Sequence, residues 1–243
     1  RNFKTTELEK KEEGVEKDID ELRGLLNKLT STNFEDMQKN IMTSLTNIMN
    51  KNCKEEDLEK IGEAIFEIGS INKFWSALYA KLYKGILNAF PAMNNIYQKN
   101  FNNFMLLFSN IRFVPAEENY DEFCKVNKEN EKRRSMGSFF VHLMNNEVIA
   151  HTAILDLIET LKNNMLELID QDNKKEEVEE FGENIVILID GGKDILESST
   201  REDGFTWDDC VEFVEAMTKR KVANHPSLSN KVVFKFMDLE EEF

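Results

Sequence analysis

Proline and glycine are scarce in this chain, which has 3 Pro and 10 Gly among 243 residues. Folds made of many short strands need frequent turns, and turns draw heavily on these two residues. The scarcity therefore favours long helices. The hydrophobic fraction of 41% is ordinary, and 18 Phe and 10 Met supply large, adaptable side chains for packing helices together.

Cysteine and long apolar runs are scarce as well. Cys53, Cys124 and Cys210 are far apart and include no CxxC pair. Such a sparse, odd set predicts reduced thiols in a cytosolic or nuclear protein, and we expect a cytoplasmic one. No apolar run approaches the roughly 18 residues that a membrane-spanning helix needs, so we expect no membrane partner.

The patterns that carry catalysis are missing too. His142, His151 and His225 are too far apart for a metal-ligand motif of the HExxH kind, and no GxxxxGK[ST] or GxGxxG loop indicates a nucleotide site. The sequence therefore predicts no catalytic residue, no metal and no cofactor. It favours a binding protein over an enzyme.

Negative charge is abundant: 46 Asp and Glu face 31 Lys and Arg, which gives a net charge of −15. An acidic surface repels nucleic-acid phosphates on average, so any direct RNA contact requires a local basic patch. A basic protein is the more natural partner.

Helical periodicity begins at Asp18, where apolar residues start to recur every three or four positions. Residues 1–17 are almost purely charged and predict a solvated linker or frayed helix, whereas residues 18–243 predict one domain. Gly69-Ser70 and Gly191-Gly192 are interpreted as helix ends. The predicted helices cover Ile19–Leu29, Phe34–Met49, Leu58–Ile68, Phe74–Phe90, Ile96–Phe113, Asp121–Met144, Glu147–Ile169, Lys174–Ile189, Thr206–Thr218 and Pro226–Leu239.

One segment, VEEFGENIVILI (Val178–Ile189), also has the composition of a strand. Its charged flank continues a helical pattern, so we interpret it as a buried helix. Ten helices at about 40–50 residues per pair match the period of HEAT-type repeats. The sequence therefore predicts an all-α HEAT-repeat solenoid of about five antiparallel helix pairs forming a crescent, with a non-repeat helical bundle as the alternative.

Five motifs follow one another in an order that resembles a known family. They are LRGLLNKLTSTNF (Leu22–Phe34), NKFWSALYAKL (Asn72–Leu82), KRRSMGSFFVHLMNNEVI (Lys132–Ile149), GGKDIL (Gly191–Leu196) and SNKVVFKFMDL (Ser229–Leu239). Together they resemble the HEAT-repeat middle domain of eukaryotic translation initiation factor 4 gamma. The resemblance implies a translation-initiation scaffold that binds and stimulates a DEAD-box RNA helicase of the initiation factor 4A type.

The same resemblance implies two helicase contacts at opposite ends of a crescent. The first would involve Arg23, Leu26, Leu29 and Phe34, and the second would involve Phe234. Leu26 and Leu29 also lie on a helical stripe, so core packing is an equal alternative for them. Phe34 has the alternative of a core anchor, and Arg23 that of a solvated side chain. Phe234 is the strongest candidate, because its apolar neighbours can fill the core without it.

Two further contacts are suggested by charge and by family motifs. Arg133 and Arg134 are candidate RNA-binding residues, although an exposed basic spot without a ligand is the favoured interpretation. A basic strip made of Lys81, Lys84, Lys99, Lys125, Lys128 and Arg112 is another possibility that spacing alone does not establish. The family's motif for the cap-binding subunit, Tyr-x-x-x-x-Leu followed by an apolar residue, is not visible in this chain.

Two alternative functions stay open. A related middle domain could regulate a helicase in splicing or mRNA decay, where it could inhibit. A HEAT-type module could also bind protein or RNA without any helicase.

Overall fold

A computed structural model describes residues 14–51 and 54–243. Within these ranges the chain forms ten α-helices and no strand, which confirms the predicted all-α class. Most of the predicted charged linker lies outside the described residues, and so does Cys53. The helices are α1 (Val15–Leu26), α2 (Phe34–Met49), α3 (Glu55–Ile71), α4 (Ser76–Ala89), α5 (Asn94–Asn102), α6 (Tyr120–Asn145), α7 (His151–Leu168), α8 (Lys175–Ser198), α9 (Trp207–Thr218) and α10 (Asn230–Glu240).

Several helices begin at a residue whose side chain accepts a backbone hydrogen bond. Asn119 accepts from the amide of Glu122 at the start of α6. Thr206 and Asp209 form a reciprocal capping box at the start of α9. Such caps satisfy amide groups that have no partner inside the helix, and each typically contributes about 1 kcal/mol.

Helices pack mainly against helices close to them in the chain. α1 contacts α2 and α3, α2 and α3 contact α4, and α3 and α4 contact α6. α6 and α7 then pack on α8, which in turn contacts α9 and α10. None of these principal contacts joins helices more than three places apart. A single apolar core runs through the described residues from α1 to α10.

Two pairs predicted as helix ends lie inside helices. α3 continues through Gly69-Ser70 to Ile71, and α8 continues through Gly191-Gly192 to Ser198. A Cβ atom on Gly69 would lie 3.0 Å from the ring of Phe139, and one on Gly192 would lie 3.1 Å from Met144. Both glycines therefore let α6 approach a neighbouring helix closely. They do not serve as caps, and the prediction of helix ends was wrong.

The predicted helix Ile96–Phe113 is also shorter than expected. α5 ends at Asn102, and a 3-10 helix follows over Phe104–Phe108. The ring of Phe104 packs edge-on against Phe140 of α6, with 5.3 Å between centroids, and Phe108 stacks on Phe181 of α8 at 4.9 Å. These tertiary contacts hold the segment against α6 and α8 as a 3-10 helix, so α5 does not continue through it. Val178–Ile189 is helical within α8, as predicted.

Candidate functional site

The outer face of α10 carries an exposed aromatic side chain. Phe234 is 59% exposed, and Met237 is exposed one turn further along the helix. Val232, Val233 and Phe236 are buried and fill the core below. The structure therefore places the predicted contact residue Phe234 on the surface, beside a second apolar side chain.

Salt bridges hold the flanks of Phe234 against α8. The ammonium group of Lys231 lies 2.9 Å from the carboxylate of Glu179, and that of Lys235 lies 3.0 Å from Glu183. Partial burial raises the pKa of Glu179, but hydrogen bonds from Lys231 and Ser229 outweigh this effect, so its pKa lies below the ordinary value. The exposed Phe234 thus lies on a helix that two salt bridges tie to α8.

The predicted N-terminal contact set divides into one exposed and three buried residues. Leu26 is 0% exposed, and Leu29 and Phe34 are also buried. The ammonium group of Lys81 lies 4.7 Å from the centroid of the Phe34 ring. Arg23 is exposed and lies 3.7 Å from a carboxylate oxygen of Glu67 on α3. Leu26 and Leu29 occupy the core, which is the alternative given for them above. They cannot touch a partner unless α1 moves.

Arg133 is buried, although both sequence interpretations placed it on the surface. Its side chain is 4% exposed and donates to the carbonyl oxygen of Leu107 at 2.9 Å. Its Nε atom lies 3.6 Å from Oε2 of Glu180, which is equally buried on α8. Burial lowers the pKa of this guanidinium, and the Glu180 carboxylate opposes the shift. Arg133 therefore joins α6 to α8 and is not available to RNA.

Arg134 belongs to the same buried centre. Its guanidinium is partly exposed and donates to Oε1 of Glu180. Asn184, one turn along α8, donates to the backbone carbonyl of Glu180 at 2.8 Å. The sequence does not mark this centre, because Glu180 and Asn184 lie among Glu179 and Glu183 and no pattern separates buried from exposed acidic residues there. A buried carboxylate such as Glu180 requires a charged or hydrogen-bonding partner, and the arginines of α6 supply it.

The basic strip is largely neutralised by carboxylates. Lys84 pairs with Glu147, Lys125 pairs with Glu122, and Arg112 bonds to Glu122 at 2.6 Å and to Glu129 at 3.0 Å. Lys99 lies 2.9 Å from Glu59. Lys128 makes no ion pair with any described residue. The predicted residues therefore do not converge on one free basic surface.

A different basic surface lies between the α3–α4 turn and α6. We call it the Phe74 groove. It has a volume of about 560 Å³ and is lined by Ile71, Lys73, Phe74, Lys128, Glu131, Lys132, Arg134 and Ser135. In the sequence, Phe74 lies on a helical stripe that predicts a buried side chain. α4 begins only at Ser76, because the side chain of Asn72 accepts from the amide of Trp75 and shapes the turn. Phe74 is consequently 91% exposed.

An acidic groove of about 670 Å³ adjoins the Phe74 groove. Four glutamates of α3 line it: Glu56, Glu59, Glu63 and Glu67. Ile71 and Lys132 border both grooves. Arg23 of the predicted helicase contact also lines the acidic groove, so this end of the molecule carries adjacent surfaces of opposite charge.

The described residues include no candidate metal cluster, and the Cys210 thiol is buried. No group of three or more His, Cys, Asp or Glu side chains in residues 14–51 and 54–243 has a geometry suited to a metal ion. Burial raises the pKa of the Cys210 thiol to about 12, which disfavours the reactive thiolate.

Among the helices of residues 14–51 and 54–243, none combines the length and the apolar composition that crossing a bilayer requires.

Comparison with known proteins adds no identification. No family model matches the chain, and no curated protein matches it in sequence.

Proposed function

We propose that this chain is a translation-initiation scaffold that binds and stimulates a DEAD-box RNA helicase. The proposal starts from the five ordered motifs and is supported by one structural observation. Phe234, the aromatic residue that the resemblance assigns to the second contact, is exposed on a helix whose other large apolar residues are mostly buried. Interfaces obtain most of their binding energy from a few anchors of this kind.

The proposed mechanism is a clamp. One helicase lobe would bind the end that carries Arg23, and the other would bind Phe234 on α10. A rigid body that holds both lobes near their closed arrangement shifts the helicase population toward its active state. Two contacts on one body also raise the effective concentration of each, so each contact alone can be weak.

The clamp requires separated ends, which we propose arise from HEAT-type stacking of the helix pairs into a crescent. The local order of helix contacts, from α1 through α3, α6 and α8 to α10, supports this arrangement.

The overall dimensions of the molecule test the crescent. A compact domain of this length would have a radius of gyration of about 18 Å. Small-angle scattering should give a distinctly larger value. A value near that of a compact domain would favour the alternative helical bundle.

The direct test is the RNA-dependent ATPase rate of an initiation-type DEAD-box helicase with and without this chain. We expect stimulation by the wild-type chain and its loss in Phe234→Asp. Phe113→Asp is a matched control, because Phe113 is also exposed but lies outside α10. Arg23→Glu probes the other end and should weaken the stimulation.

Other outcomes would point to other functions. Inhibition of the helicase would favour the alternative of a regulator in splicing or mRNA decay. No effect on the ATPase rate and no co-migration with the helicase would contradict the proposal. Equal stimulation by wild type and Phe234→Asp would mean that Phe234 of α10 does not contact the helicase.

A further inference from the structure

The Phe74 groove concentrates free positive charge on an acidic protein. Lys73, Lys128, Lys132 and Arg134 line it, against one carboxylate, Glu131. Three of these cations, Lys73, Lys128 and Lys132, make no ion pair with any described residue, whereas Arg134 is held by Glu180. Because the chain as a whole has a net charge of −15, this local excess stands out against its surroundings.

The same groove exposes apolar side chains. Ile71 is 52% exposed and Phe74 is 91% exposed, and Trp75 beside them is also exposed. Single exposed apolar residues are common on protein surfaces, but three within five positions beside a concave surface are typical of a binding site. The Asn72 hydrogen bond fixes the turn that presents them, so less conformational entropy is lost when a partner binds.

We propose that the Phe74 groove binds a protein segment in which acidic residues flank a large apolar residue. The apolar residue would pack on Phe74 and Ile71, and the carboxylates would meet the lysines of α6. Lys128 and Lys132 are four positions apart on α6 and therefore lie on the same face of the helix. Their spacing suits two carboxylates on either side of one apolar anchor.

A single-stranded nucleic acid would also combine stacking with positive charge, but the surroundings disfavour it. The acidic groove shares Ile71 and Lys132 with the Phe74 groove and is lined by five glutamates against three cations, so a phosphate backbone that continues past Lys132 would meet an excess of negative charge. A protein segment avoids this repulsion, because its charge can change from one residue to the next. An exposed aliphatic residue such as Ile71 also suits a side-chain partner better than a base.

This inference does not depend on the helicase proposal, since the groove includes neither Arg23 nor Phe234. One of the two proposals can therefore be contradicted by experiment while the other holds. Phe234→Asp should abolish helicase stimulation and leave binding in the groove unchanged.

The test is fluorescence anisotropy with three labelled probes and the full chain. The first probe is a short peptide of glutamates around a central Phe, the second has lysines in place of the glutamates, and the third is a single-stranded oligouridylate. We expect saturable binding of the glutamate peptide only. The affinity should fall as salt is added, because salt screens exposed charges over about 10 Å at 0.1 M.

Two variants locate the binding. Phe74→Ala and Lys128→Glu should each weaken the glutamate peptide about tenfold, as expected for an anchor residue and a partner charge. Phe113→Ala and Lys39→Glu make the same changes at exposed positions outside the groove and should have no effect. Thermal unfolding should be unchanged in all four variants.

Three results would overturn the proposal. The glutamate peptide could fail to bind, or it could bind with an affinity that Phe74→Ala and Lys128→Glu leave unchanged. Preferential binding of the oligouridylate, lost in the same two variants, would make the groove a nucleic-acid site.

Discussion

The two ends of the molecule gave opposite outcomes for residues of the same chemical kind. Leu26 and Phe234 are both large apolar side chains on helices, and both were candidates for a helicase contact. Leu26 lies in the core on the apolar stripe of α1, whereas Phe234 lies off the stripe of α10 and faces solvent. Helical phase therefore separates a core residue from a surface anchor better than residue type does.

A second contrast concerns charge. Arg133 and Glu180 are buried and pair across α6 and α8, while Glu179, the preceding residue on α8, is half-buried and pairs with Lys231 of α10. The adjacent residues Glu179 and Glu180 thus form one partly exposed ion pair and one buried ion pair. The substitutions below test both contrasts, beginning with the largest expected effect.

Glu180→Leu should lower the free energy of unfolding by about 4 kcal/mol, because it leaves the buried Arg133 cation without its carboxylate. Urea denaturation measures this loss. Glu197→Leu makes the same change at an exposed position of α8 and serves as the control. Adding Arg133→Met to Glu180→Leu should recover part of the stability. A Glu180→Leu variant as stable as wild type would contradict the buried pair.

Leu26→Ala should lower the free energy of unfolding by about 3 kcal/mol, since the substitution leaves a cavity among fully buried side chains. The neighbouring Leu25 is only half-buried, so Leu25→Ala should cost clearly less. Chemical denaturation of both variants provides the comparison. A loss of less than about 1 kcal/mol for Leu26→Ala would contradict its burial and make Leu26 available to a partner.

Glu179→Gln should cost at most about 1 kcal/mol at neutral pH, because the salt bridge with Lys231 is partly exposed. The folded-state pKa of Glu179 lies below its unfolded value. Its stabilising contribution is therefore present above the unfolded pKa of about 4.3 and disappears as the pH falls through the folded pKa. The difference between wild type and variant, followed by denaturation at several pH values, should shrink in acid. A difference that grows in acid would reverse the assigned direction.

Phe234→Asp should change the free energy of unfolding by less than about 0.5 kcal/mol, because an exposed side chain away from structural contacts contributes little. Phe236, two residues further along, is completely buried, and Phe236→Ala should cost about 4 kcal/mol. Thermal denaturation of the pair tests the contrast between core and surface on one helix. A large loss in Phe234→Asp would assign Phe234 to the core and weaken the proposed contact.

The candidate sites were predictable to different degrees. Phe234 could be assigned to the surface, because its neighbours along α10 already complete an apolar stripe. Phe74 could not, because it continues the stripe of α4 in sequence and is exposed only because the Asn72 turn delays the start of the helix. Arg133 was misplaced because no local pattern reveals that a carboxylate from another helix will cover a cation.

By itself the sequence determined the all-α class, the approximate position of nearly every helix and the helical conformation of Val178–Ile189. These properties depend on periodicity and turn residues within a few neighbouring positions. Only the tertiary structure decided that glycines of α3 and α8 provide space for α6, that the fifth helix gives way to a 3-10 turn, and that Arg133 is buried. Each of these depends on distant residues: Arg134 and Glu180 of the buried centre, for example, are 46 positions apart. Steric fit and charge pairing between such residues arise only when the helices meet, so no local pattern can encode them.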